Sequence, residues 1–288
     1  MWRKARIVMA GACAAGVCVV PTATGPATAA TTEAATTKTV TAEAGTAKAG
    51  TAEAGTTKTG TAGTATTGTV AAKAATPAGV KKKPYCARYK CIALTFDDGP
   101  WPYTPALLDT LKKHRAKATF FLLGRKVANR PELTRRIHEE GHDIGNHTWT
   151  HPSLTELSDG EVFEEVSSTS NIINQTIGET PDYMRPPNGA TNSRVASLMA
   201  DLGLPQILWT GSTLDWQARD TKVIAQRTLK LAKRNGVILL HDIVPETVKA
   251  MPGVLTALEK RHYKFVTLTT LLQGRTLRPG EVYPPHGR

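Results

Sequence analysis

The sequence predicts an α/β fold: a parallel sheet of about seven strands, covered by helices and closed into a complete or distorted (β/α) barrel. Three observations carry this. From Tyr85 onward, apolar runs alternate with amphipathic stretches in repeated strand–helix units. Helix start and stop residues stand at the joints between them. Val237–Leu240 contains no polar residue, the pattern of a strand buried on both faces. A doubly wound open sheet is the competing arrangement for the same alternation.

The elements follow in order. Ile92 to Phe96 reads as a buried strand. Thr104 offers a cap and Pro105 a first helical position for a helix over Ala106 to His114. Ala118 to Leu123 is the second strand. Arg130-Pro131 opens a helix that Gly141 ends, and His142 to Gly145 is a short third strand. Ser158 and Glu161 have capping-box spacing before a long helix to Ile177. Tyr183-Met184 leads into a Pro-rich turn, Asn192 caps a helix to Leu202, and Gln206 to Thr210 is a strand. A helix from Thr221 ends near Asn235-Gly236. After Val237–Leu240 come a helix from Glu246 to Arg261, a strand from Phe265 to Leu268, a short helix and a Gly- and Pro-rich tail.

The chain before this domain has a different character. Arg3, Lys4 and Arg6 precede an apolar stretch, Ile7 to Val20, that is too short to span a bilayer. Ala27-Thr28-Ala29 is a small-x-small pattern, so residues 1–29 read as a cleaved export signal. Residues 30–84 are rich in Ala, Thr and Gly, with a repeat seen in TAEAGTAKAG at 41–50 and TAEAGTTKTG at 51–60. No aromatic residue occurs between Thr31 and Lys83, so this segment buries too little apolar surface to offset its chain entropy and reads as a disordered linker. The globular domain is expected over 85–276, with a tail over 277–288. Cys13 and Cys18 leave with the signal, and Cys86 and Cys91 remain. In an oxidising compartment a disulfide is expected. It requires Ala87–Lys90 to turn, because an extended chain separates the pair by about 17 Å and a disulfide tolerates about 7 Å. Two free thiols are the alternative.

The formal net charge is +12. An exported basic protein is drawn to anionic wall polymers. The basic residues are scattered and form no recognised nucleic-acid motif, which argues against a nucleic-acid partner. A monomer is expected.

The unusual polar residues fall just after the strands. Asp97 and Asp98 follow the first, His147 and His151 the third, Arg185 the Tyr183-Met184 segment, Asp215 and Trp216 the strand at 206–210, and His241 and Asp242 the strand at 237–240. In a parallel barrel these positions share the C-terminal face, where active sites are built. His147 and His151 reach one metal if the chain turns between them. Of the adjacent acids, one can ligate while the other points elsewhere in the site. Asp242 has no role beyond capping the next helix.

TFDDGP, HTWTHP, RPPNG, LDW and LLH, in this order and on these elements, resemble the five motifs of the polysaccharide deacetylase family, the NodB-homology or family 4 carbohydrate esterases. The resemblance covers residues 91–270 and implies a distorted (β/α) barrel. It implies a divalent metal, zinc first and cobalt second, held by Asp98, His147 and His151. Asp97 is implied as general base, oriented by Arg185, and His241 as general acid, paired with Asp215. The Asn188 backbone N–H is implied as oxyanion donor, with Pro187, Trp216 and Leu239 at the substrate. The third motif often carries Tyr where this chain has Asn188, which removes a stacking surface for sugar and leaves the backbone donor.

The implied activity is removal of N-acetyl groups from GlcNAc-containing glycans, peptidoglycan first. Chitin or chito-oligosaccharide deacetylation and acetylxylan esterase activity are the alternatives. A non-catalytic wall-binding module or a structural wall protein is the different-class reading, and intact Asp97 and His241 argue against it.

Overall fold

A computed structural model describes residues 84–285. The expected export signal lies outside the described residues, as does the expected linker up to Lys83. No helix among the described residues is long and apolar enough to cross a membrane.

The chain enters through helix α1 (Tyr85–Arg88) and strand β1 (Lys90–Asp97), followed by α2 (Thr104–Lys113) and β2 (Thr119–Leu122). Two helices, α3 (Gly124–Asn129) and α4 (Pro131–Glu139), lead to β3 (Asp143–Asn146). Next come α5 (Asp159–Ile177), α6 (Ser193–Asp201), β4 (Gln206–Ile207), β5 (Gly211–Ser212) and α7 (Asp215–Ala218). The remainder is α8 (Thr221–Leu231), β6 (Gly236–His241), α9 (Pro245–Lys260), β7 (Tyr263–Phe265), α10 (Leu268–Leu271) and β8 (Val282–Tyr283).

All strand pairs are parallel. The main sheet runs β3-β2-β1-β6-β5, with β7 also paired to β1. Met184 bridges β3 to β4 through single contacts with Asn146 and Gln206, and β8 pairs with β4. No pairing joins β8 to β5 among the described residues. The result is an interrupted ring, the distorted (β/α) barrel that the strand–helix alternation predicts.

Period-two alternation along β1 sets the two faces. Ile92, Leu94 and Phe96 point into the layer packed by α2 and α9, with Leu107, Leu111, Val254 and Leu258. Cys91 and Ala93 point into a second cluster with Phe121, Ile207, Val237 and Leu268. Full burial of each Leu or Phe contributes about 1.5–3 kcal/mol. Thr95 and Asp97 continue the inner face toward the C-terminal end and turn it polar.

Most joints fall where the sequence places them. Ser158 and Glu161 form the capping box of α5, Asn192 caps α6, and Gly178 ends α5 at φ 79°. Cys86 and Cys91 form a disulfide with a Cα–Cα distance of 5.5 Å, and the helical turn α1 brings them together. Three differences have physical causes. The expected strand over 206–210 splits into β4 and β5 because its backbone changes partner: Ile207 N–H donates to Met184 O, Leu208 N–H to Tyr283 O and Thr210 N–H to Val237 O. The strand expected over 265–268 sits earlier as β7, since Thr267 caps α10 by accepting from Thr270 N–H. Part of the Gly- and Pro-rich tail is extended as β8, a pairing too short to leave a sequence pattern.

Candidate active site

β1 ends on Asp97, and its Cα partner on β6 is His241. Asp98 then leaves the strand at φ 72°, a left-handed conformation that an Asp side chain tolerates. This turn breaks the strand alternation and aims both carboxylates into one site. The histidine loop is also strained: Thr148 has φ 69° and His151 φ 75°. For a β-branched residue such as Thr148 that conformation is costly. Asn146 Oδ1 holds it by accepting from Thr148 N–H at 2.8 Å, and Thr148 Oγ1 accepts from His151 N–H at 3.1 Å.

The result is a convergence of three ligand types. Asp98 Oδ1 lies 3.5 Å from His147 Nε2 and 3.4 Å from His151 Nε2. One ligand atom from each of the three lies within 4.8 Å of the others. Asp98 Oδ1 is buried and has no hydrogen-bond partner. His147 Nδ1–H donates to Arg185 O at 2.7 Å, which leaves Nε2 as the free lone pair facing Asp98. Burial holds His147 below its ordinary pKa, against the pull of Asp97 and Asp98, so the imidazole is neutral and ligand-ready. An orphaned carboxylate oxygen and two imidazole nitrogens fit a divalent cation with open positions.

Asp97 stands beside this triad, its Oδ2 3.7 Å from His147 Nε2. Its Oδ1 accepts from Arg185 Nη1 at 2.6 Å. Arg185 is fully buried, and it also donates from Nη1 to Thr95 Oγ1, from Nε to Ile207 O and from Nη2 to Leu208 O. Across the cleft, His241 Nδ1–H donates to Asp215 Oδ1 at 2.8 Å, and His241 N–H donates to Asp215 Oδ2 at 2.8 Å. Thr247 Oγ1 donates to the same Oδ2 at 2.7 Å. Burial opposes a charge on His241, but the Asp215 bond and charge outweigh it and raise the pKa to about 9.

These groups line a cleft of about 600 Å³ with Pro186, Asn188, Trp209, Ser212, Leu214, Trp216 and Leu239. Asp97, Asp98, His147, His151 and His241 all face it, while Arg185 and Asp215 stand behind Asp97 and His241. Trp216 is 54% exposed and sits at the mouth. Asn188 has φ 58°, and this turn presents Pro186 and Asn188 to the cleft while Pro187 is buried behind them. Trp209, Ser212, Leu214 and Pro186 went unnamed in the sequence reading. The signal that finds Trp209 and Ser212 is their place between β4 and the LDW motif, at the C-terminal strand ends, and Leu214 is the first residue of that motif. Thr247 leaves no such signal, being one Thr in a helical first turn. Asp242 is not a helix cap: Val244 occupies that position for α9. The Asp242 side chain is fully buried, accepts from Thr104 Oγ1 and packs under Gly99, and burial raises its pKa to about 7.

Residues 85–207 match the family described as Polysaccharide deacetylase. A peptidoglycan-N-acetylglucosamine deacetylase, PgdA, of Listeria monocytogenes is 41% identical over 214 residues, covering 73% of this chain and 45% of that protein. The chain thus spans less than half the length of that relative. A chitooligosaccharide deacetylase of Bradyrhizobium is 36% identical over 198 residues, covering 63% of this chain and 90% of that protein. Among solved structures, one described as T48 deacetylase with substrate superposes with a TM-score of 0.66 at 39% identity, covering 69% of this chain and 98% of that one. The described residues carry the motifs on the same kind of fold, and the chain belongs to the polysaccharide deacetylase family.

Proposed function

We propose that the protein is a metal-dependent hydrolase that removes N-acetyl groups from GlcNAc-containing glycans, with peptidoglycan as the substrate. One observation carries the reading. A carboxylate and two imidazoles with an unspent buried oxygen lie between an acid-oriented imidazole, His241, and a guanidinium-oriented carboxylate, Asp97.

Asp98, His147 and His151 hold the cation. When bound, a divalent ion such as zinc acidifies water and polarises the acetyl carbonyl. Asp97 takes the proton of the attacking water, and Arg185 fixes the carboxylate that receives it. The Asn188 backbone N–H faces the oxyanion of the tetrahedral state. His241, kept charged by Asp215, gives a proton to the departing amine. Trp216 and Leu239 wall the space for the acetyl group. The peptidoglycan relative at 41% identity favours that polymer. The chito-oligosaccharide relative, matched over 90% of its length, keeps the simpler GlcNAc oligomer as the second reading.

The expected export signal over residues 1–29 and the expected Ala-, Thr- and Gly-rich linker over 30–84 fit an enzyme working at a cell wall. The net charge of +12 adds attraction to anionic wall polymers. The test is acetate release by the purified protein on peptidoglycan, chitopentaose and acetylxylan, with and without chelator. Release from the GlcNAc polymers that chelator abolishes is the expected result. Release from acetylxylan alone, or chelator-insensitive release, overturns the proposal.

A further inference from the structure

A cationic ledge lies beside the Asp98 and histidine loops and takes no part in the chemistry just described. Trp101 lies three residues beyond Asp98, on the loop that leaves β1. Lys126 Nζ sits 4.4 Å from the centre of its ring, and the Arg130 guanidinium 4.9 Å. Lys126 Nζ also donates to Asp98 O at 2.7 Å, which ties the ledge to the ligand loop. The helix that carries it, α3, starts against the histidine loop: Gly124 N–H donates to Thr148 O, and Arg125 N–H to Trp149 O. Arg125 is exposed one residue away.

Asp98 and Asp242 attract Lys126 from beyond ion-pair distance, but no carboxylate of the described residues contacts the ledge. Among the described residues, none of Arg125, Lys126 and Arg130 forms an ion pair with a carboxylate, and no Arg130 guanidinium N–H donates a hydrogen bond within the protein. Arg130 is nonetheless held in place. It stands between α3 and α4 with Pro131 after it, which restricts its backbone. A guanidinium stacked on an indole has its flat face covered and its in-plane N–H groups free, the edge that forks a carboxylate.

We propose that Arg130, supported by Trp101 and flanked by Arg125, is an anion subsite of the cleft that takes a carboxylate borne by the glycan, making it a specificity-determining residue. This rests on the deacetylase reading. A glycan threaded past the metal ligands with an acidic substituent on a neighbouring unit meets the ledge on the Asp98 side. A neutral oligomer of the same length makes no use of it.

The experiment compares the parent protein with R130Q, R125Q and W101L on three glycans: a carboxylate-bearing GlcNAc oligomer, the same oligomer with its carboxylates amidated, and neutral chitopentaose. R130Q is expected to lower kcat/KM on the carboxylate-bearing oligomer about tenfold through KM, and to leave the other two within about twofold. W101L follows R130Q because it removes the support, R125Q gives a smaller loss in the same direction, and R130K restores only part. An equal loss on all three glycans, or no loss on the acidic one, overturns the subsite. Calorimetric titration of the deacetylated, carboxylate-bearing product separates this from the parent reading. If the parent protein turns over none of the glycans, the deacetylase reading fails. The subsite itself then stands or falls on whether R130Q weakens product binding; binding indifferent to Arg130, or no binding by the parent, overturns it.

Discussion

Asp97 and His241 are directly paired residues on adjacent parallel strands, β1 and β6. Each is oriented by a buried partner of opposite charge, Arg185 behind the carboxylate and Asp215 behind the imidazole. The register of two buried strands therefore fixes the spacing between the proposed base and acid. Both side chains start from strand ends, so removal of a supporting partner tests each role in turn.

For His241 the supporting partner is Asp215. With Asp215 present the imidazole stays protonated to about pH 9, so the alkaline limb of kcat is expected near that value. Asp215→Asn removes the ionic hydrogen bond and the charge and leaves burial, which disfavours the imidazolium against the weaker pull of Asp97 and Asp98. The limb is then expected to fall to the ordinary histidine value of about 6.5 or lower. A pH–rate profile of both proteins, each with metal bound, checks this. An unmoved limb removes His241 from the acid role.

The two adjacent acids are expected to separate in their effects. Asp97→Asn keeps the metal, because the ligand set is intact, and lowers kcat at least about 100-fold, the low end for loss of a general base. His147→Ala weakens metal binding by more than about 100-fold, the upper range for loss of an outer-shell partner. Metal content by elemental analysis, read alongside acetate release, distinguishes them. Equal metal loss in both variants contradicts the division of roles.

Arg185 is expected to matter for the fold as well as the site. Its guanidinium serves Asp97, Thr95 and two carbonyls from a fully buried position. Arg185→Met leaves a buried carboxylate unpaired, and breaking such a pair costs about 3–5 kcal/mol. Urea denaturation measures it. In the double variant with Asp97→Asn the charge penalty disappears, so the combined loss is smaller than the sum of the single losses.

The sequence carried most strands, several caps and the charged groups that face the cleft, because Asp97, Asp98, His147 and His241 follow strands marked by apolar runs. Ser158 and Asn192 act where their chemistry places them. What stayed hidden depends on long-range partners. The break between β4 and β5 follows from Leu208 bonding to Tyr283, a residue far along the chain. The left-handed turn at Asp98, which brings both acids into one site, is invisible to strand alternation. Thr247 and Lys126 touch the site only through Asp215 and the Asp98 carbonyl, contacts that no local pattern encodes.

His142 gives the fold an acid-sensitive point away from the cleft. It is buried, and its Nδ1 accepts from Ala118 N–H at 3.1 Å, so the ring is neutral with its proton on Nε2. Burial, with the Lys117 charge nearby, lowers its pKa to about 4 against the opposing charge of Glu140. Above about pH 6.5 the ring is neutral in both folded and unfolded chains, and its environment costs nothing. As the pH falls from 6.5 toward 4, the unfolded chain binds a proton that the folded chain refuses, and stability drops. The loss is complete below the folded value and amounts to at most about 3 kcal/mol. His142→Asn keeps an acceptor for Ala118 N–H and removes the titration. Urea midpoints measured between pH 7 and pH 4 are therefore expected to fall less steeply in that variant than in the parent. Parallel slopes would place the acid sensitivity elsewhere.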